Sequence, residues 1–362
     1  MLTVSQAFRD AIPQNHKIVS TCAITTPAGA SATYPIASGT VQVDRTQQIR
    51  RTAPQLLVQG GTAAFVLLST PGCQVVISHG IVFSGANQEL LPMLTGELTS
   101  AALAYGDGLI SLAVADRWQK LAASPRLYPY TPAPTARRVD EIVTAVTDVF
   151  PGITVRNTAT DGGLVSTAQA WTSRADQVAA FAADGGLEVY FAPDGALVIR
   201  NIPQITDPAV WTIKTGPGGT LKALTRTRPL DRLYNTVVLT PATSDPLQTW
   251  TQVVAQITDP ANPRHPNRIG VRPYVTTSPT ALTAAQAQTV AGQILAKIQG
   301  TTETLSITAM GMAALEGGDV VRILTPSDSG DQIATQFLQT LSIDLAAGDM
   351  TATTQDQIEL AA

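Results

Sequence analysis

The chain has 362 residues, 23 Lys and Arg against 27 Asp and Glu, and only 14% charged residues, where a globular domain carries about 25%. A 44% hydrophobic content supplies ample surface to bury and excludes a disordered chain, while a net charge of −4 excludes a generic nucleic-acid binder, which needs a basic face. No apolar run approaches the roughly 18–20 residues of a membrane span, and Arg9 and Asp10 fall where a secretory leader needs its apolar core, so neither segment is expected.

Residues 1–10 read as a short amphipathic helix ending near Ile12-Pro13. From His16 to about Trp118 the pattern is β, with strands expected at 17–24, 40–44, 55–59, 64–68, 74–78, 81–83 and 109–114. Turn chemistry separates them at Pro27-Ala28-Gly29, Gly60-Gly61, Pro71-Gly72, Gly85-Ala86-Asn87 and Gly106-Asp107-Gly108. Short strands so punctuated predict a barrel or sandwich rather than βαβ units. Residues 125–134, PRLYPYTPAP, hold four prolines and form a semi-rigid extended connector.

Beyond it the period changes. Val139, Ile142, Val143, Val146 and Phe150 lie at helical spacing and stop at Pro151-Gly152. Ser173 with Asp176 opens a second helix, which ends at Gly185-Gly186. Leu187, Val189 and Phe191, the turn Pro193-Asp194-Gly195, and Leu197 with Ile199 then spell a hairpin, completing a small α+β module. Strands are expected at 221–227, 236–240 and 249–257, followed by a polar loop through Pro260, Pro263, His265 and Pro266. Thr283 and Gln286 form a capping box for a helix that places Ala287, Val290, Ile294 and Ile298 on one face and stops at Gly300. The tail returns to strands at 305–309, 320–324, 336–345 and 350–354.

The fold class is therefore mainly β with a few short helices, in several domains: 1–125, 126–203, 204–280 and 281–362. Pieces this small bury only about 60% of their unfolded surface, so the middle ones should lean on neighbours or partner chains. Eighteen Arg against five Lys, with abundant Ala, fits a GC-rich coding bias, but that bias leaves the low total charge unexplained.

Reactive chemistry is not legible. His16, His79 and His265 are far apart in sequence and lack metal-ligand spacing. Cys22 and Cys73 are too few for a disulfide framework and read as small buried hydrophobes, with a single bridge between them as the alternative. The pair Cys73 and His79 carries no nucleophile signature, Thr215–Gly219 lacks the Lys and Ser/Thr of a phosphate loop, and Ser327–Asp331 fails the calcium-loop alternation. Asp140 and Glu141 read as a helix start, and Arg50-Arg51 and Arg137-Arg138 are isolated basic pairs. No catalytic, cofactor-binding or metal-ligating residue is nominated. Tyr128, Tyr130, Trp250 and Tyr274 are the aromatics that a carbohydrate-binding module could use for stacking.

Several segments together resemble the tail-hub (baseplate hub) and minor tail proteins of long-tailed bacteriophages, especially those infecting actinobacteria. These are the strand and Asp116-Arg117 turn of LISLAVADRWQKL (109–121), the stretch from Trp171 through EVYFAPDGALVIR to 200, and RLYNTVVL (232–239). The closing stretch joins them, with Leu315-Glu-Gly-Gly-Asp319, Phe337 to Leu345, and Gly348 to Thr351. The resemblance covers most of the chain in order, although each motif is short. It implies two tube-like β domains per chain in a homotrimer at the distal tail end. Its partners would be tail-tube and tip or fibre proteins, and DNA would pass through without specific binding. It further implies a virion protein assembled in the host cytoplasm; the residues themselves lead to the expectation of no membrane segment and no enzymatic activity. Nothing in the sequence resembles the lytic domains that some contractile-tail hubs carry.

Overall fold

A computed structural model describes residues 1–14, 16–83, 87–104, 106, 108–133, 135–160, 163–165, 170–227, 233–241, 252–278, 284–298, 304–325 and 332–355. The chain is mainly β and divides into two compact units, Met1–Leu224 with Ser306–Thr354, and a second built on Thr225–Leu305.

In the first unit, helix α1 (Gln6–Ala11) is capped by Ser5, whose Oγ accepts from the Phe8 N–H at 3.0 Å. Six strands follow: β1 (Lys17–Thr25), β2 (Ser31–Asp44), β3 (Arg51–Gln59), β4 (Gln74–Val82), β5 (Gln88–Leu103) and β6 (Leu109–Asp116), with helix α2 (Gly61–Leu68) after β3. Their order is β1-β4-β5-β6-β3-β2, and a β1–β2 pairing from Thr21↔Pro35 to Thr25↔Ser31 closes the circle into an antiparallel barrel. Closure covers the β2 edge over residues 31–35, one of the sheet edges that would otherwise template aggregation. Inward positions alternate along the strands, as at Cys22 and Ile24, Val41 and Val43, and Ile110, Leu112 and Val114, all buried.

Two expectations are corrected here. The segment 64–68 is not a strand but lies in α2: the structure buries Ala64 and Leu68, four residues apart, and leaves Val66 66% exposed, whereas alternation would have buried all three. The expected strands 74–78 and 81–83 are one strand, β4, with a register shift between Ile77 and Ser78. The opposing β5, which the sequence reading omitted, places Pro92 at that shift, one of the few sheet positions a proline tolerates.

Strand β2 does double duty. On one edge it pairs with β3; on the other it pairs with β1 through residues 31–35 and then with β17 (Gln332–Asp344) through Thr40↔Asp344 to Asp44↔Thr340. Beyond β17 the order continues through β18 (Asp349–Gln355), β15 (Thr304–Met310) and β11 (Leu221–Thr227). Strand β16 (Val320–Thr325) pairs with β17, and β10 (Trp211–Lys214) runs parallel to β16. All twelve strands thus form one hydrogen-bonded sheet.

The α+β module contains α3 (Arg117–Ala122), α4 (Arg138–Thr147), α5 (Arg174–Gly185) and a three-stranded sheet, β7 (Val155–Asn157), β9 (Leu197–Asn201) and β8 (Leu187–Phe191) in that order. Its local chemistry is as the sequence spells it. Ser173 Oγ accepts from the Asp176 N–H at 3.2 Å, Gly186 ends α5 at φ 62°, and Gly195 turns the hairpin at φ 82°. The core packs Trp118 and Leu121 of α3 with Ile142, Val178, Phe181, Phe191 and Ile199, with Phe191 edge-on to Trp118 and Phe150.

The second unit has the sheet β13 (Val253–Gln256), β12 (Thr236–Pro241) and β14 (Pro273–Ser278), with short helix α6 (Pro266–Ile269) and helix α7 (Ala284–Ile298). Val237, Leu239, Ala255, Ala287, Ala291 and Leu295 form its core. Fully buried Asn235 organises the loops, its amide donating to the Arg264 and Gly270 carbonyls and its oxygen accepting from the Arg272 N–H. Strand β13 occupies 253–256 of the expected 249–257, of which 249–251 lie outside the described residues, and β14 was not expected. The expected cap Thr283 and stop Gly300 lie outside the described residues, as do Trp250 and 327–331.

Glycines divide into those that fit nothing larger and those that do not need to be glycine. A Cβ on Gly80 of β4 would overlap the Glu89 carbonyl of β5, whereas Gly292 of α7 faces open space. Gly80→Ala is expected to destabilise the first unit by about 2 kcal/mol or more, and Gly292→Ala to stabilise the second by up to ~1 kcal/mol, as read by thermal unfolding.

Candidate functional site

The densest polar constellation in the first unit is a buried ionic junction drawn from three distant stretches of chain. The turn between β2 and β3 supplies Arg45 and Arg50, and the start of β3 supplies Arg51; β8 and β9 supply Glu188, Tyr190 and Arg200; the loop before β16 supplies Glu316, Gly317, Gly318 and Asp319. Glu188 is the centre. Its Oε1 accepts from Arg45 Nε at 2.6 Å and Arg50 Nη1 at 3.0 Å, and its Oε2 accepts from Arg200 Nε at 2.7 Å. Burial alone would raise this carboxyl, but Arg50, Arg200 and Arg45 together overcome it and hold the group at about 2. The Tyr190 ring carries the Arg50 guanidinium at 4.0 Å and that of Arg200 at 5.1 Å, and burial followed by nearby Glu316 pushes its phenol up to about 12.

A second layer adjoins this one. Arg51 Nη2 donates to Glu316 Oε1 at 2.9 Å, Tyr190 OH reaches Glu316 Oε2 at 3.4 Å, and Asp319 accepts from both the Glu316 N–H and the Met1 amino group at 2.9 Å. Asp116 caps α3 through the Trp118 N–H and also accepts from the Arg51 N–H, both at 2.9 Å; burial nonetheless lifts it to about 6. The paired glycines have a steric reason. The Gly317 carbonyl accepts from Arg50 and Arg200, and a Cβ on Gly318, at φ 86°, would lie 2.8 Å from Arg200 Nη2. The neighbouring Arg117 donates to the Gly195 carbonyl at 2.5 Å and Thr95 to Pro193 at 2.7 Å, fastening the hairpin turn to the barrel. Chemically this is a lock: every carboxylate is committed to a cation or an N–H.

A second buried pair, Ser20 with His79, has the distance of a nucleophile and base, 2.8 Å, but the opposite polarity. Ser20 Oγ donates its proton to the Leu345 carbonyl at 2.6 Å, so His79 Nδ1–H donates to Ser20 rather than abstracting from it. Burial holds the His79 imidazole at about 4, with Asp344 pulling upward and His16 downward. His79 is 4% exposed and Ser20 7%. The pair pins β1 and β4 to the segment after β17.

The remaining sequence candidates are not brought together. Cys22 and Cys73 are both buried and free, burial pushing Cys22 up to about 12, so the bridge alternative is not realised. Cys73 contacts the Leu67 carbonyl at 3.7 Å, and His16 bonds the carbonyls of Ala11 and Gln14. Tyr130 donates to Glu141, and Tyr274 packs edge-on to Tyr234, so of the stacking aromatics among the described residues Tyr128 is the one left outward, 81% exposed. No group of three or more potential metal ligands occurs among the described residues, and no described helix is long and apolar enough to cross a membrane. In the sequence Arg50-Arg51 is an isolated basic pair, and its partners Glu188 and Glu316 lie 138 and 265 residues away, so no local signal marks the junction.

Two outcomes follow. Glu188→Gln is expected to cost about 3 kcal/mol at neutral pH by leaving buried Arg50 and half-buried Arg45 and Arg200 without their counter-charge, and to remove stability that the native protein loses as pH falls from about 4.5 through 2. For His79 the depressed value means its contribution is complete above about 6.5 and lost as pH falls toward 4. His79→Asn, which preserves the donor to Ser20, is expected to flatten that part of the stability–pH curve, worth roughly 3 kcal/mol in the native protein. Denaturant titrations at stepped pH read both.

No protein-family model and no curated protein sequence matches the chain. Solved structures do. A tail protein from Neisseria meningitidis superposes over 93% of this chain and 96% of its own, with TM-score 0.62 at 15% identity. The 43 kDa tail protein of a Shewanella oneidensis prophage covers 92% and 97%, with TM-score 0.62 at 13% identity. Prophage tail protein gp18 from Listeria monocytogenes covers 94% and 95%, with TM-score 0.58 at 8% identity. The chain therefore has the fold of the phage tail proteins, the group that its sequence resembles.

Proposed function

We propose that the chain is a structural, non-enzymatic virion protein of a bacteriophage tail, acting as a trimeric hub at the distal end. The observation that carries this reading is the near end-to-end superposition on tail proteins, over more than nine-tenths of both chains. The internal chemistry supports it, because the buried ionic groups are spent on fixing the module to the barrel. A chain with a closed barrel and a second group of strands continuing its sheet through β2 offers two β units, so three copies would present six to a six-fold tail tube. Tail-tube proteins on one side and tip or fibre proteins on the other are its partners in this reading. A mildly acidic chain suits a channel through which DNA slides without being held. The link to actinobacterial phages rests on the sequence resemblance, as does assembly in the host cytoplasm.

Light scattering on the purified chain tests this directly. A mass three times that of the 37.9 kDa chain is expected, with three-fold density at the tip of the assembled particle. A monodisperse monomer at high concentration, together with no such density, would overturn the reading.

A further inference from the structure

The three-stranded sheet of the second unit has one covered face. Helix α7 closes it, packing Ala287, Ala291 and Leu295 on Val237, Leu239 and Ala255. Alternation along β12 sends Val238 to the other face. There the register sets Val238 opposite Val254 of β13 and Val275 of β14, so three valines form one row across all three strands. Val254 is 53% exposed and Val275 65%, with half-buried Val238 between them. Val271, two residues ahead of β14, is exposed as well. Single exposed apolar side chains are ordinary, but a contiguous row of them marks a contact surface.

The charge beside this row has one sign. From 246 to 302 the one acidic residue is Asp259, against Arg264, Arg268, Arg272 and Lys297. Arg268 and Arg272 are exposed, and no ion pair among the described residues engages either guanidinium. Their loop is held in place by Asn235, whose amide donates to the Arg264 carbonyl at 3.0 Å and the Gly270 carbonyl at 2.7 Å. Its oxygen accepts from the Arg272 N–H at 2.8 Å. Asn235 directly precedes β12 and lies three residues from Val238, so the arginine loop is tied about 10 Å from the valine row.

An apolar centre bordered by arginines is the composition of a protein–protein contact. Guanidinium groups fit carboxylates and phosphates alike, and the valines decide between them. A duplex flank presents phosphate and sugar, which leave a flat apolar row uncovered. A bilayer fits no better, because valines flush with a pleated sheet lack the reach of the Trp, Phe and Leu by which interfacial segments insert. We propose that the face of the β13-β12-β14 sheet opposite α7 docks a protein partner whose contact surface is acidic around an apolar centre. Val238, Val254 and Val275 meet that centre, and Arg268 and Arg272 meet its carboxylates. The assignment does not depend on the chain being trimeric.

The test measures binding of the full chain to labelled polyglutamate and to a random copolymer of glutamate and tyrosine, with duplex DNA and phosphatidylglycerol vesicles as the rival probes. The copolymer is expected to bind more tightly than polyglutamate, and both to weaken as salt rises. Arg268→Ser with Arg272→Ser should weaken both polymers roughly tenfold. Val254→Thr with Val275→Thr keeps the branched shape that suits a strand, so thermal unfolding should be unchanged while the copolymer falls to the affinity of polyglutamate. A native chain that binds neither polymer, or that prefers DNA or vesicles to the copolymer, overturns the proposal. So does copolymer binding that ignores either double variant.

Discussion

Glu188 under three guanidinium groups is the interaction on which the first unit depends. Its partners, Arg45, Arg50 and Arg200, come from the barrel's β2–β3 turn and from the module's own hairpin, so one carboxylate joins stretches of chain up to 143 residues apart. Burying a carboxylate is expensive, and only this density of opposing charge, with the Gly317 carbonyl taking leftover N–H groups, makes the arrangement favourable. Apolar packing around Trp118, Phe150 and Phe191 builds the core of the module itself. The directed bonds to Glu188 and Glu316 set the angle at which they meet.

The same junction alters the meaning of the low charge content. Arg50, Arg51, Asp116, Glu316 and Asp319 are buried, so a notable share of an already small set of charges never reaches the surface. What remains outside is richer still in Thr, Ser, Gln and Ala than the 14% figure conveys. Surfaces of that kind carry little electrostatic penalty when covered, which accords with a protein working inside a larger assembly.

Where chain chemistry is local, the fold was legible from sequence. Ser173, Gly186 and Gly195 cap and turn as their residue types dictate, and the amphipathic spacing of α4 and α7 marks them as helices. What failed was non-local. Strand β5 hid behind Pro92 and a run of leucines because its pairing with β4 absorbs a bulge that no one-dimensional pattern displays. Residues 64–68, Ala-Phe-Val-Leu-Leu, are a short unbroken apolar run that fits strand or helix equally well, and burial of Ala64 and Leu68 with Val66 exposed decides for the helix. The ionic junction was invisible for a related reason: Arg50-Arg51, Glu188 and Leu315-Glu-Gly-Gly-Asp319 are each ordinary alone, and only the topology makes them neighbours. The Asp116-Arg117 and Gly317-Gly318 motifs, noticed for family likeness, prove to be a helix cap with a hairpin clamp and a seat for two arginines.

Strand β2 also imposes a schedule. Its outer edge from Thr40 to Asp44 is satisfied by Thr340 to Asp344, some 300 residues later in synthesis. At roughly 5–20 residues per second a ribosome needs on the order of 15–60 s to make that partner. Throughout that interval the finished barrel holds an open strand edge, the kind of surface along which nascent chains pair with one another. That stretch of β2, though encoded early, is covered late, and a crowded burst of synthesis is a moment at which this protein is exposed to misassembly.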